Sequence, residues 1–310
     1  NISPGIDTTE TRQPIGVIAC VSPFNFPILI PMLQTVMALA CGNTVVVKPS
    51  EKVPSAFRLI AEEVFQKVGF PDGVLNVLNG GSLTVEKMMD HPEISGLTFV
   101  GSTNVARDLR AKGIQVNKRV QAFGSGKNHL LVLPDADIDM VADAAVSAGF
   151  GAAGQRCMAV SVLVIVGDIA DKLVHKITER IPEIIVGSAH DKNVQLGPVI
   201  SAKSRDRIHS FIENAEENGA EIIVDGRQEY LDKGFTVGAT VIDRVRPGMP
   251  IYDNEIFGPV LSIVRVDTYE EAMKIIAGHP LGNGSAIFTR DGGAARLFSE
   301  EVEAGMIGIN

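Results

Sequence analysis

The sequence predicts an α/β protein in two parts: a Rossmann-like domain built on a parallel sheet, then a second α/β domain. Short apolar runs alternate with helical patterns along all 310 residues. The runs read as strands buried on both faces, which is the habit of parallel sheets with helical crossovers. The alternation also breaks and restarts at FGSGKNH (123–129), and the length suits two domains of roughly 150 residues each. The boundaries expected are 1–12 for a loose leading segment, 13–126 for the first domain and 127–310 for the second.

In the first domain, IGVIACV (15–21) reads as a buried strand and Pro27 to Ala40 as an apolar helix. NTVVVKPS (43–50) is a second strand ending in a polar turn. Ser55 to Val68 is an amphipathic helix through Phe57, Ile60, Ala61, Val64 and Phe65, stopped by GFPDG. LNVLN (75–79) is a third strand, and GGS opens the next helix. ISGLTFVGST (94–103) is a fourth, followed by a helix to about Lys112. Right-handed crossovers place ligands at the carboxyl ends of such strands. In the second domain, NHLLVLP (128–134) is a strand. The stretch 135–154 reads as one helix with an acidic start, which suits the helix dipole. SVLVIVG, a helix from Ala170, and a charged helix from Ala202 to Gly219 follow. EIIVDG, FTVGATVI, a hairpin-rich segment, LSIVRV, a helix from Tyr269, GSAIFT, a last helix and GMIGIN complete the chain.

Composition narrows the function. Lys+Arg 28 against Asp+Glu 37 gives a net charge of −9, which argues against nucleic-acid partners and anionic membrane surfaces. Residues 13–47 carry no Asp, Glu, Lys or Arg, but Pro23, Pro27, Pro31, Asn25 and Gln34 interrupt them, so no membrane span is expected. Cys20, Cys41 and Cys157 form neither a disulfide framework nor a zinc spacing. A reducing compartment, the cytoplasm by default, fits them, with the mitochondrial matrix open to a eukaryotic source. The chain reads as a piece of a longer polypeptide.

Several short patterns carry chemistry. Cys157 lies in FGAAGQRCMAVSV, where small residues allow a ligand close to the backbone and Arg156 adds positive charge. A buried structural thiol is the competing reading. Asn25, in SPFNFP, sits at a strand end, where its amide suits an oxyanion donor or a helix N-cap. In VVVKPSE, Lys48 suits ribose hydroxyls or phosphate. Glu51 suits ribose hydroxyls and repels a 2′-phosphate, favouring NAD over NADP, although a solvated turn has the same composition. NGGS and VGST are weak phosphate-cradle signals. Glu255, in NEIFGPV, precedes an apolar turn, and His129 could serve as a base or be an ordinary hydrogen-bonded histidine.

SPFNFP, KPSE, FVGST, GQRC and EIFGPV, in this order, resemble the aldehyde dehydrogenase superfamily along essentially the whole chain. GQRCMA and GKNH are similar to its acylating, CoA-dependent branch that acts on methylmalonate semialdehyde. The resemblance implies that the N-terminal part of the cofactor domain and a C-terminal segment are missing from this chain. It implies Cys157 as nucleophile, with Asn25 and the Cys157 backbone N–H as the oxyanion hole. It assigns Lys48 and Glu51 to the adenosine ribose of NAD, Ser102 to the pyrophosphate region and Glu255 to the nicotinamide ribose. Ser22 and Phe24 would line the cofactor cleft, Lys52 and Gly124 its edges, and Arg156 would pair with the substrate carboxylate.

The sequence departs from the superfamily at FGSGK. Phe123 stands where hydrolytic members carry a glutamate base, and no carboxylate lies between Asp108 and Asp135. CoA, which brings its own nucleophile, becomes the expected acyl acceptor, giving acetyl-CoA or propionyl-CoA with loss of CO₂. Ala106 replaces the last glycine of the G-S-T-x-x-G turn. A homo-oligomer is implied for the full-length form. A hydrolytic dehydrogenase, a cysteine hydrolase pairing Cys157 with His129, and an inactive fragment are the alternatives.

Overall fold

The computed structural model describes residues 3–227 and 234–310. The chain forms two compact units, Asn1–Ser125 and Gly126–Asn310. Residues 1 and 2 of the leading segment lie outside the described residues. Residues 7–15 carry no strand or helix.

The first unit is a five-stranded parallel sheet. Its elements are β1 (Val17–Val21), α1 (Leu29–Ala40), β2 (Thr44–Lys48), α2 (Ser55–Ile60), β3 (Leu75–Val77), α3 (Ser82–Asp90), β4 (Ile94–Val100), α4 (Thr103–Gln115) and β5 (Arg119–Phe123). The strand order is β3-β2-β1-β4-β5, so the winding direction reverses between β1 and β4. Such a reversal opens a crevice at the carboxyl ends of the two strands. Register aligns those ends, since Val21 pairs with Lys48 on one side and Phe99 on the other. Cys20, Val45, Val47 and Phe57 pack on one face; Ala19, Val21, Leu97 and Phe99 pack on the other with Met88, Met89 and Leu109.

Two local differences from the sequence reading have simple causes. RVQAF, unassigned from sequence, is the edge strand β5; only Val120 and Ala122 turn inward, so it lacks the continuous apolar run of its neighbours. The helix expected over 55–68 is α-helical only to Ile60 and continues as a wider π-helical turn over Ala61–Phe65.

The second unit is a seven-stranded sheet ordered β12-β11-β6-β7-β10-β9-β8. Its strands are β6 (Asn128–Val132), β7 (Val160–Val166), β8 (Glu221–Val224), β9 (Thr240–Asp243), β10 (Val260–Val266), β11 (Gly284–Phe288) and β12 (Met306–Ile309). Among the strands of the described residues, only β8 runs antiparallel, against β9. The helices are α5 (Ile138–Phe150), α6 (Ala170–Arg180), α7 (Ala202–Glu217), α8 (Pro250–Asp253), α9 (Tyr269–Ala277) and α10 (Gly292–Glu301). Strand β7 shows why its sequence is apolar throughout: Val162, Val164 and Val166 join a core with Ile208, Ile212 and Met273. Leu163 and Ile165 join another with Val141, Leu173 and Ile177.

The helix expected over 135–154 is shorter in the structure. Asp137 caps α5 by accepting from the Met140 N–H at 3.2 Å, and α5 stops at Phe150. Ala152, Ala153 and Gly154 then take left-handed backbone angles, with φ of 53°, 54° and 65°. This reversal lies immediately before Gln155, Arg156 and Cys157. Consecutive left-handed non-glycine residues are strained by roughly 1–2 kcal/mol each, and such strain persists only where packing fixes it.

Candidate functional site

The first unit carries polar groups at its switch-point crevice. Ser22 follows β1, and its backbone N–H donates to the Lys48 carbonyl at 3.1 Å. The buried Gln34 of α1 joins the strand ends: it accepts from Ser22 Oγ at 2.9 Å and donates to the Val21 carbonyl and Thr98 Oγ1, both at 3.3 Å. Lys48 ends β2 with its side chain buried, and its ammonium donates to the Gly80 carbonyl at 2.9 Å and Glu51 Oε2 at 3.3 Å. Glu51 is held below the usual carboxylate range, first by a backbone N–H and then by Lys48 and Lys52. Lys52 is exposed, and its own N–H donates to Ser50 Oγ.

Ser102 sits exposed at the N-terminus of α4 without a side-chain capping bond. Thr103 beside it accepts from the Ser125 N–H, and Gly124 passes so close that a Cβ there would lie 2.7 Å from Thr103 Oγ1. Ala106, in the first turns of α4, is buried. Phe24 and Asn25 are half-buried. The cap position of α1 is Ile28, so Asn25 is not the helix N-cap that its residue type also suited. Its carboxamide makes no hydrogen bond among the described residues. Phe123 ends β5 and is 52% exposed.

In the second unit the candidate residues gather at the amino ends of strands, opposite to the expectation for α/β sheets. Asn128 opens β6, Cys157 precedes β7, Glu255 precedes β10, and Asn283 immediately precedes β11. Gly126, Asn128, Gly154, Arg156, Cys157 and Glu255 line one cleft. The Cys157 thiol is half-buried. Burial pushes it above its ordinary range, and the Glu255 charge adds to this, while the N–H groups of Cys157 and Met158 and the Asn283 amide oppose it. The adjacent Arg156 charge was expected to activate the thiol; burial and Glu255 act in the opposite direction.

Arg156 is half-buried, and its guanidinium has no ion pair or hydrogen bond among the described residues. It lies over Gly151, where an added Cβ would come within 2.3 Å of Nη2. Glu255 accepts from the Gly126 N–H at 3.3 Å. Its turn is tied down twice. Lys127, 1% exposed, donates to the Ile251 and Asn254 carbonyls at 2.7 Å, and burial pulls its ammonium down to about 7. Arg207 donates to the carbonyls of Glu255 and Ile256.

His129 is not a partner of Cys157. It is buried, with Nε2 3.1 Å from the Tyr252 hydroxyl, and burial lowers it to about 3. That removes the support for a Cys157–His129 hydrolase. Sequence reasoning passed over Gln34, Lys127, Asn128 and Asn283. Gln34 was visible only as a polar break in a charge-free stretch, and Asn283 as a side chain between two glycines. Among the described residues, no group of His, Cys, Asp and Glu is placed to hold a metal, and no helix is long and apolar enough to cross a membrane.

A family model described as the aldehyde dehydrogenase family matches residues 1–310. The chain belongs to the aldehyde dehydrogenase family. Among its curated relatives in that family, the malonate-semialdehyde dehydrogenase of Pseudomonas aeruginosa is 46% identical over 314 residues, covering 100% of this chain and 63% of the relative. The chain thus spans less than two thirds of that aldehyde dehydrogenase. The methylmalonate-semialdehyde dehydrogenase DddC from Oceanimonas doudoroffii superposes with a TM-score of 0.93 at 46% identity, covering 96% of this chain and 62% of that one. A Mycobacterium tuberculosis aldehyde dehydrogenase complexed with NAD+ gives 0.92 at 33% identity, covering 96% and 62%.

Proposed function

We propose that this chain is the cofactor- and nucleophile-bearing part of an NAD-dependent, acylating semialdehyde dehydrogenase acting on malonate or methylmalonate semialdehyde. The observation that carries the substrate class is Arg156. A half-buried guanidinium beside the candidate nucleophile, without a counter-ion among the described residues, offers a bidentate seat to a carboxylate. The relatives named for malonate and methylmalonate semialdehyde support the same class.

The first unit fits NAD: a switch-point crevice, a carboxylate at Glu51 for ribose hydroxyls, and Lys48 held against it. In this reading residues 13–126 are the NAD-binding domain and 127–310 the catalytic domain. Ser22 and Phe24 line the cleft, Lys52 and Gly124 border it, Ser102 faces the pyrophosphate and Glu255 the nicotinamide ribose. The bound cofactor supplies a hydride acceptor.

The Cys157 thiolate adds to the aldehyde carbon, forming a C–S bond and an oxyanion. Asn25 and the Cys157 N–H donate to that oxyanion, a contribution typically worth about 3–4 kcal/mol per donor. Re-forming the carbonyl expels hydride and leaves a thioester on Cys157. Phe123 offers no base to activate water, so the CoA thiolate attacks the thioester and releases Cys157 as thiolate. Loss of CO₂ breaks the bond to the carboxyl carbon, and the carbon left behind takes a proton from water, giving acetyl-CoA or propionyl-CoA. The small-molecule partners are thus a semialdehyde and CoA; the full-length enzyme is a homo-oligomer in this reading.

Single-turnover NADH formation with NAD and malonate semialdehyde, with and without CoA, tests this. A burst stoichiometric with Cys157, followed by turnover only on adding CoA, is expected. Steady turnover without CoA would overturn the acylating assignment. No burst from folded protein would overturn dehydrogenase chemistry for this chain.

A further inference from the structure

The segment holding Cys157 is fixed from outside by two carboxamides. Asn128 Nδ2 donates to the carbonyls of Cys157 at 2.8 Å and Ala159 at 2.7 Å, while its Oδ1 accepts from the Gly284 N–H at 2.8 Å. Asn283 Nδ2 donates to the same Cys157 carbonyl at 2.8 Å. One carbonyl therefore receives two amide donors from two different strand ends. Asn128 alone already gives that carbonyl a donor and is buried, so it carries the structural part of the clamp.

Asn283 differs. Its side chain is exposed rather than buried, and its backbone sits at φ 113°, between Gly282 and Gly284. Glycine occupies such a conformation without strain, and asparagine tolerates it better than most residues do. The Asn283 amide also favours the charged form of the Cys157 sulfur, against the rise that burial causes. The charged groups around that sulfur are Arg156 on its own segment, Glu255 before β10 and Lys127 at the start of β6, whose ammonium is committed to backbone carbonyls.

We propose that Asn283 is a positioning residue for the nucleophile: its amide, bonded to the Cys157 carbonyl, holds the segment so that the thiolate keeps its orientation. This rests on the reading of Cys157 as nucleophile. The substitution Asn283→Gly removes the amide while relieving the backbone, so the variant keeps its fold.

The test is the pH dependence of iodoacetamide alkylation at Cys157, followed by peptide mass spectrometry on the intact chain, with thermal melting as a check of folding. Loss of the amide should move the midpoint up by about one pH unit and slow alkylation near neutral pH about tenfold. Asn283→Asp, which adds a negative charge, should move it at least as far. An N283G profile superimposed on the wild type overturns the proposal, as does a wild-type profile in N283D. If alkylation of Cys157 leaves the single-turnover NADH burst intact, the nucleophile reading fails, while the comparison between wild type and N283G still decides the role of Asn283.

Discussion

Gly154 offers a sharp test of how the Cys157 segment is held. Its φ is +65°, and a Cβ built there would lie 2.0 Å from the Gly258 carbonyl oxygen and 2.3 Å from its carbon. Those atoms are backbone, in the turn that carries Glu255, and cannot rotate away. The substitution Gly154→Ala should therefore cost roughly 1–2 kcal/mol for the left-handed backbone. Separating the two segments adds about 1–3 kcal/mol more. A total of about 2–5 kcal/mol corresponds to a fall of some 5–15 °C in the melting temperature of a unit of this size. Gly151→Ala is the control. Its φ is negative, and its Cβ would meet only the mobile end of Arg156, so it should cost under about 1 kcal/mol. Urea unfolding and calorimetry read both variants. If G154A melts within a degree or two of G151A, the close approach of these backbones does not exist and the reasoning fails.

Other outcomes follow from the same geometry. Arg156→Leu should raise KM for a carboxylated semialdehyde about tenfold or more over its effect on propanal, and equal effects would remove the carboxylate role. His129 is neutral in the fold, lowered to about 3, whereas the unfolded chain takes a proton near 6.5. Between those values the unfolded state binds the extra proton, so acidification from pH 6.5 to 5 should cost about 2 kcal/mol, and His129→Gln should flatten that slope in urea titrations. Ala152→Gly should stabilise the chain by roughly 0.5–1 kcal/mol, because the exposed Ala152 holds φ 53°; a lower urea midpoint would contradict this. Asn128→Ala leaves a buried N–H and a carbonyl unpaired and should cost about 2–5 kcal/mol in the same assay.

The sheets were legible because their strands are apolar on both faces, which leaves runs such as VVV before Lys48 and SVLVIVG in the sequence. Strand β5 was not, since its outward face is polar and only Val120 and Ala122 signal burial. The end of α5 was hidden for a different reason. GAAG is compatible with helix, and only packing against the 258–259 backbone forces the left-handed turn. Cys157, Arg156, Glu255, Lys48 and Glu51 were visible as reactive or charged residues in small-residue turns. The amides that hold them, Gln34, Asn128 and Asn283, were not, because their partners are backbone carbonyls, serines and threonines far along the chain. Separations of 29 and 126 residues join Asn128 and Asn283 to Cys157, and no local pattern records them.

The tripeptide Lys127–His129 gives those separations a kinetic meaning. Lys127 reaches the 251–254 turn across 124 residues, Asn128 reaches Gly284 across 156, and His129 reaches Tyr252 across 123. Each bond closes a large loop, so none forms until most of the chain between has found its place. The cleft around Cys157 is then among the last features to mature during refolding. A thiol probe added at intervals should find Cys157 freely reactive after the sheet's circular dichroism has returned, and restrained only when these three residues have engaged their distant partners.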